Sequence, residues 1–213
     1  MRFDILTIFP GMFDAYLGES IIKRAQKKKL VSLRFHDLRD FATDKHRSVD
    51  DRPYGGGPGM VMKVEPIYKT LKAVPRHSKR RVLLMSAKGK MFTHADAKRL
   101  SKYKQIIIIC PRYEGVDERA VDYVDEEISI GPYVLTGGEL PAMVAIDAVT
   151  RLIPGVLGKD ESSVDESHSQ EGTLEYPQYT RPEVFRKKRA PKELLSGNHK
   201  DITAWREKMK KRK

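Results

Sequence analysis

Four stretches of this 213-residue chain bring together groups that could do chemistry. In Asp50-Asp51-Arg52-Pro53-Tyr54-Gly55-Gly56-Gly57-Pro58-Gly59-Met60, two carboxylates and an arginine stand beside a backbone that glycine leaves free to approach a ligand. Pro111-Arg112-Tyr113-Glu114-Gly115 and Ile130-Gly131-Pro132-Tyr133-Val134-Leu135-Thr136-Gly137-Gly138-Glu139-Leu140-Pro141 each follow an expected strand. Turns at the C-terminal ends of parallel strands are where open α/β sheets bind ligands. The fourth place pairs Arg151 with an acidic segment containing Asp165 and Glu166, a cation followed by candidate bases. Familiar cofactor signatures are missing. The glycines at 55–59 are not spaced G-x-G-x-x-G, no Walker A sequence occurs, and no two histidines have metal-ligand spacing.

The elements that must position these groups alternate. Phe3–Ile8 is a β-rich run stopped by Pro10-Gly11. Residues 12–30 carry Phe13, Tyr16, Leu17, Ile21 and Ala25 at helical spacing, with lysines towards the end where the helix dipole favours cations. A strand is expected at Val31–Phe35, a long polar loop at Asp37–Gly59, a helix from about Glu65 and a strand at Arg81–Ser86. A helix follows at Thr93–Tyr103. Ile106–Cys110 is an unbroken apolar run, the pattern of a strand buried on both faces of a parallel sheet. A short helix over 116–123, a strand over 127–130 and a helix over 139–152 complete a body of α/β class with a mostly parallel sheet. Beyond Gly158 the composition becomes polar and acidic, which cannot bury itself. The expected organisation is therefore a body over 1–158, an acidic linker over 159–175 and a small helical region over 176–213. In that last region Gly197 caps one helix, and a final helix from His199 carries Ile202 and Trp205.

Charge is segregated along the chain. The net charge is +12, and the segment from Arg181 to Lys213, with thirteen basic and four acidic residues, carries +9 of it. Concentrated positive charge suits a polyanion, because each phosphate neutralised releases condensed counterions. The single cysteine, Cys110, excludes a disulfide framework and a Cys-cluster zinc site, and reads as a buried thiol. No apolar run approaches the roughly 20 residues of a membrane span. The opening Met1-Arg2-Phe3-Asp4 is too acidic, and Pro10 comes too soon, for a signal peptide. The expectation is a soluble, cytoplasmic protein with no membrane partner.

At these motifs the chain closely resembles the bacterial tRNA (guanine-N1)-methyltransferases of the trefoil-knotted SPOUT superfamily. The likeness runs through Ile8-Phe9-Pro10, Asp50–Met62, Arg112–Arg119, Ser129–Gly158, Tyr179-Thr180-Arg181-Pro182, Ser196-Gly197-Asn198-His199 and Trp205-Arg206. It implies a knotted α/β domain that binds S-adenosylmethionine, a small helical C-terminal domain that grips tRNA, and a homodimer with shared active sites. The cofactor loops it implies contain Leu84, Met85 and Ala87; Pro111, Tyr113, Glu114 and Gly115; and Ser129, Ile130, Gly131, Pro132, Tyr133, Val134, Leu135, Gly137, Gly138 and Pro141. Asp50, Pro58, Gly59 and Ser167 are the implied contacts to guanine and tRNA. Pro111 stands where the family usually has glycine and Pro132 where it commonly has aspartate. Each proline removes a backbone donor, so a contact survives there only through the carbonyl.

Guanine N1 carries a proton and becomes a nucleophile only when that proton leaves. Its methylation therefore needs a general base at N1 and a cation near O6, where negative charge accumulates. The resemblance makes Arg151 the cation and a linker carboxylate the base. Counting from Arg151 places the base at Glu166, followed by a matching Ser167. Counting back from Gly172 shifts the register by one, so Asp165 stands as the alternative. The plain reading of Arg151 is a helix pair with Asp147, four residues earlier. Magnesium is a further requirement that the resemblance brings, but the sequence offers no ligand cluster for a fixed site. Two other functions fit the same residues: an RNA-binding protein that keeps the fold without the base, and a related enzyme with a different target nucleoside.

Overall fold

The isoleucine run at 106–109 has apolar neighbours on both sides because both faces of its strand are covered. In the computed structural model, which describes residues 1–157, 167–168 and 173–212, the chain forms two compact units, Met1–Gly158 and Lys159–Lys213. The first contains β1 (Arg2–Thr7), α1 (Asp14–Leu17), α2 (Ser20–Lys27), β2 (Ser32–Asp37), the short β3 (Asp50–Asp51) and β4 (Val61–Met62), and α3 (Val64–Ala73). These are followed by β5 (Arg80–Met91), α4 (His94–Leu100), β6 (Gln105–Ile109), β7 (Glu126–Ser129) and α5 (Glu139–Thr150). Turns of 3-10 helix lie at Pro10–Phe13, Leu38–Phe41 and Glu118–Tyr123.

Five strands form one sheet in the order β2-β1-β6-β5-β7, with every pairing parallel. Alternate residues feed two cores. Phe3, Ile5, Leu83, Ile106 and Ile108 pack with Phe13, Ile22, Leu100 and Ile146 on one face. Leu6, Leu84, Ile107 and Ile109 pack with Leu38, Ile67, Leu71 and Ala120 on the other. The expected mostly parallel α/β body is present.

Two expectations need correction. The single helix over 12–30 is a 3-10 turn and two short helices separated at Gly18. The Gly18 N–H closes onto the Asp14 carbonyl at 3.0 Å, a side chain there would collide with that same oxygen, and Ser20 takes a positive φ. The strand at 81–86 is longer and interrupted. Met85 and Lys90 both face Ile128, so Ser86–Gly89 loops out of the ladder. Gly89 makes this possible, because a Cβ there would lie 2.6 Å from the Glu127 backbone.

In the second unit β8 (Thr173–Leu174) pairs antiparallel with β11 (Lys211–Arg212), and β9 (Val184–Phe185) with β10 (Lys188–Arg189). Helices α6 (Lys192–Leu195) and α7 (His199–Met209) follow the hairpin in sequence. Asn198 caps α7 by accepting the Lys200 N–H, and Gly197 holds the left-handed φ of 71° expected of a cap. Trp205 is buried, with Tyr176 and Tyr179 edge-on at 6.4 and 6.1 Å. The short strand pairs were not legible as elements, since two-residue strands carry no periodicity.

Candidate functional site

A cavity of about 420 Å³ opens where β5, β6 and β7 end. Three turns line it: the β5 loop from Leu84 to Lys88, Pro111–Val116 after β6, and Glu127–Gly131 with Tyr133–Leu135, Gly137 and Gly138 after β7. Pro141 closes one wall. The structure thus gathers the cofactor-loop residues expected from sequence around one hollow, with the exception of Pro132, which is exposed and does not line it.

The turns brace one another. The Gly138 N–H donates to the Pro111 carbonyl at 2.8 Å, so a proline there costs nothing at this bond. A Cβ on Gly138 would lie 2.6 Å from the Pro111 ring. The Ser129 hydroxyl donates to the Gly131 carbonyl at 3.0 Å, and the Tyr133 ring lies over Gly131 where no side chain fits. Tyr113 and Gly115 take positive φ to turn the chain back after β6.

Beneath the cavity runs a buried ion pair that the spacing did not announce. Glu139, fully buried at the start of α5, accepts from Thr7 Oγ1 and from Arg112 Nε, each at 2.8 Å. Arg112 also donates to the Thr136 carbonyl, and its guanidinium lies over the Phe9 ring at 4.8 Å. Gly137 leaves the room that this arginine occupies. Burial, followed by the Glu139 charge, pushes the adjacent Cys110 thiol well up, so it stays protonated and is no nucleophile.

The Asp50–Met60 loop is held against the second turn. The Glu114 N–H donates to the Met60 carbonyl at 3.0 Å, and the Met62 N–H to the Gly115 carbonyl at 2.9 Å. A side chain on Gly59 would strike Glu114. Asp50 is half-buried in β3, paired with Met62, while Pro58 and Gly59 are exposed. Arg151 caps α5, half-buried, with its N–H on the Asp147 carbonyl at 3.2 Å. The Asp147 carboxylate accepts from the Tyr16 hydroxyl. Asp165 and Glu166 lie outside the described residues. The Ser167 hydroxyl oxygen accepts the Glu175 N–H at 3.0 Å within the second unit.

Sequence reasoning missed Lys88, Glu118 and Glu127 as lining residues. Lys88 and Glu118 form an exposed ion pair at 2.7 Å. Glu127 has a buried Oε2 with no hydrogen-bond partner among the described residues. Lys88 reaches the cavity on the looped-out part of β5, Glu118 from a 3-10 turn and Glu127 from β7, a convergence of separate elements that periodicity does not encode. Among the described residues no three His, Cys, Asp or Glu side chains come together as metal ligands, and no helix is long and apolar enough to cross a membrane.

A parallel α/β sheet with a ligand-sized hollow at its strand ends defines a protein class that holds a small organic ligand on glycine turns. Within that class the chain belongs to the tRNA (guanine-1)-methyltransferase TrmD family, whose model matches residues 1–213. It is 56% identical over 208 residues to a tRNA (guanine-N(1)-)-methyltransferase of Geotalea uraniireducens, covering 97% of this chain and 84% of that relative. Proteins of the same name from Citrifermentans bemidjiense and Ruminiclostridium cellulolyticum are 54% and 53% identical. Those matches cover 100% and 97% of this chain, and 86% and 89% of the relatives.

Proposed function

We propose that this chain methylates N1 of the guanine directly 3′ of a tRNA anticodon, using S-adenosylmethionine. The cavity carries the reading: three strand-end turns enclose about 420 Å³, within the roughly 300–1,000 Å³ of small-molecule sites, in a chain matched throughout by the family. The residues fit the cofactor. Leu84, Ile130, Leu135 and Pro141 supply apolar wall for an adenine, and glycine turns supply close backbone. The orphaned Glu127 oxygen suits a cationic ligand, since a buried acceptor left unsatisfied is costly. When bound, adenosylmethionine supplies an electrophilic methyl group on a positively charged sulfur.

In this reading Glu166 takes the N1 proton, which leaves N1 with the free electron pair that makes it a nucleophile. Arg151 stabilises the negative charge that builds at O6. The Asp50–Met60 loop, tied to the Glu114 turn, contacts the guanine. Residues 1–158 form the knotted cofactor domain, 159–175 the active-site linker and 176–213 the tRNA-binding domain, in a cytoplasmic protein. Magnesium enters only with the resemblance and is given no residue.

The linker completes the partner's site in a homodimer. A subunit face is available for that assembly. Leu140 and Val144, one turn apart on α5, are exposed, as are Met12 of the 3-10 turn that touches that helix and Phe9 just before the turn. Exposed apolar side chains on neighbouring elements suit such an interface.

Labelled methyl transfer to tRNA tests the roles together. Glu166→Gln and Arg151→Ala should each lower it about 10²–10⁴-fold, while Asp165→Asn matters much less. Mixing the two inactive subunits should recover activity, because one site of each heterodimer then holds both intact residues. No recovery places both residues in one subunit, and an inactive Asp165→Asn beside an active Glu166→Gln moves the base by one position.

A further inference from the structure

We propose that the β9–β10 hairpin is a stacking platform for an unpaired base of the RNA substrate, with Phe185 as its ring. This rests on the reading of the chain as a tRNA methyltransferase and names a surface that grips the RNA. The hairpin pairs Phe185 with Lys188 and Val184 with Arg189. Its turn is Arg186-Lys187, with φ of 44° and 66°. A two-residue hairpin turn of this kind is ordinarily filled by Asn and Gly, because side chains disfavour the left-handed region. Here two long cations occupy it.

Glu183 anchors the base of the hairpin. Its carboxylate pairs with Arg189 and its carbonyl accepts the Ala190 N–H at 2.9 Å. That leaves Phe185 63% exposed, with Arg186, Lys187 and Lys188 exposed around it. The Arg186 guanidinium lies 5.6 Å from the ring centroid. The small core around Trp205 does not cover this ring. A solvent-facing aromatic ring flanked by cations matches the needs of single-stranded RNA, in which a base stacks on the ring and phosphates meet the charges. A duplex has no base face to offer, since its bases are stacked on each other. The +9 charge of residues 181–213 selects a polyanion.

The test uses the full chain, a labelled anticodon stem–loop RNA, and a loop-free duplex of the same stem, over a salt series. Phe185→Ala should weaken stem–loop binding roughly 5- to 150-fold, the worth of one stacked base, with the salt slope and duplex binding unchanged. Phe185→Trp should restore it, which a merely structural defect would not allow. Replacing both Arg186 and Lys187 by Ala should flatten the salt slope by about 1.5 on either RNA. Undiminished stem–loop binding by Phe185→Ala, or Phe185→Trp binding as weakly as Phe185→Ala, overturns the platform. Failure of the enzymatic reading shows separately, as wild-type protein that binds the stem–loop through Phe185 yet transfers no methyl group.

Discussion

Glu139 and Arg112 illustrate how single residues set the turns around the cavity. Each oxygen of the buried carboxylate has one partner, Thr7 on β1 and Arg112 after β6, so one side chain ties α5 to two strand ends. Removing one member of a buried ion pair strands the other, at a cost of about 3–5 kcal/mol. Glu139→Ala should therefore lower unfolding stability by about that amount in a denaturant titration and weaken adenosylmethionine binding in parallel. Glu139→Gln, which keeps the shape and one acceptor, should lose less of both. Equal stability of Glu139→Ala and the wild type would contradict this role. Both residues were visible in sequence within glycine-rich motifs. Their pairing was not, because 27 positions separate them and no periodicity links residues on different elements. At Pro111 the loss of a donor mattered little because the structure uses its carbonyl.

At the scale of elements, α4 shows local chemistry fixing a boundary. Thr93 caps the helix through the Asp96 N–H, and Asp96 returns the bond to the Thr93 backbone, a capping box written directly in the sequence. Burial alone would push the Asp96 carboxyl up, but hydrogen bonds from Thr93, Lys90 and Arg99 outweigh it and bring it down to about 2. A carboxyl held below its ordinary 3.8 contributes stability that is full above about pH 4 and is lost as pH falls towards 2. Asp96→Asn should cost about 2 kcal/mol at neutral pH and flatten the fall of melting temperature across that acid window. An unchanged acid slope in the variant would contradict the assignment. The same local reading failed over residues 12–30. Of the residues at helical spacing there, Phe13, Leu17 and Ala25 enter the core, while Ile21 is only partly buried against it and Tyr16 is exposed, because the segment is a 3-10 turn and two short helices broken at Gly18. A helical spacing assumes one continuous helix, so it misplaces residues wherever the backbone breaks, as it does between Gly18 and Ser20.

For the whole molecule, the alternation of strands and helices and the isoleucine run made the parallel sheet legible, because burial on both faces leaves its mark on every residue of a strand. Which strands neighbour one another was not legible, since the order β2-β1-β6-β5-β7 depends on crossovers that leave no local pattern. A knot is further still from local pattern and came only from resemblance. The charge divide was plain, with +9 of the +12 beyond residue 180. In the proposed reading this divide separates an RNA-binding region from a cofactor-binding body. The most direct test of that account is mass spectrometry of both the nucleosides and the nuclease fragments of tRNA incubated with the protein and methyl-labelled adenosylmethionine. The account predicts a single labelled product, 1-methylguanosine, from the position directly 3′ of the anticodon. Label on another guanine atom, in another nucleoside or at another position would contradict it.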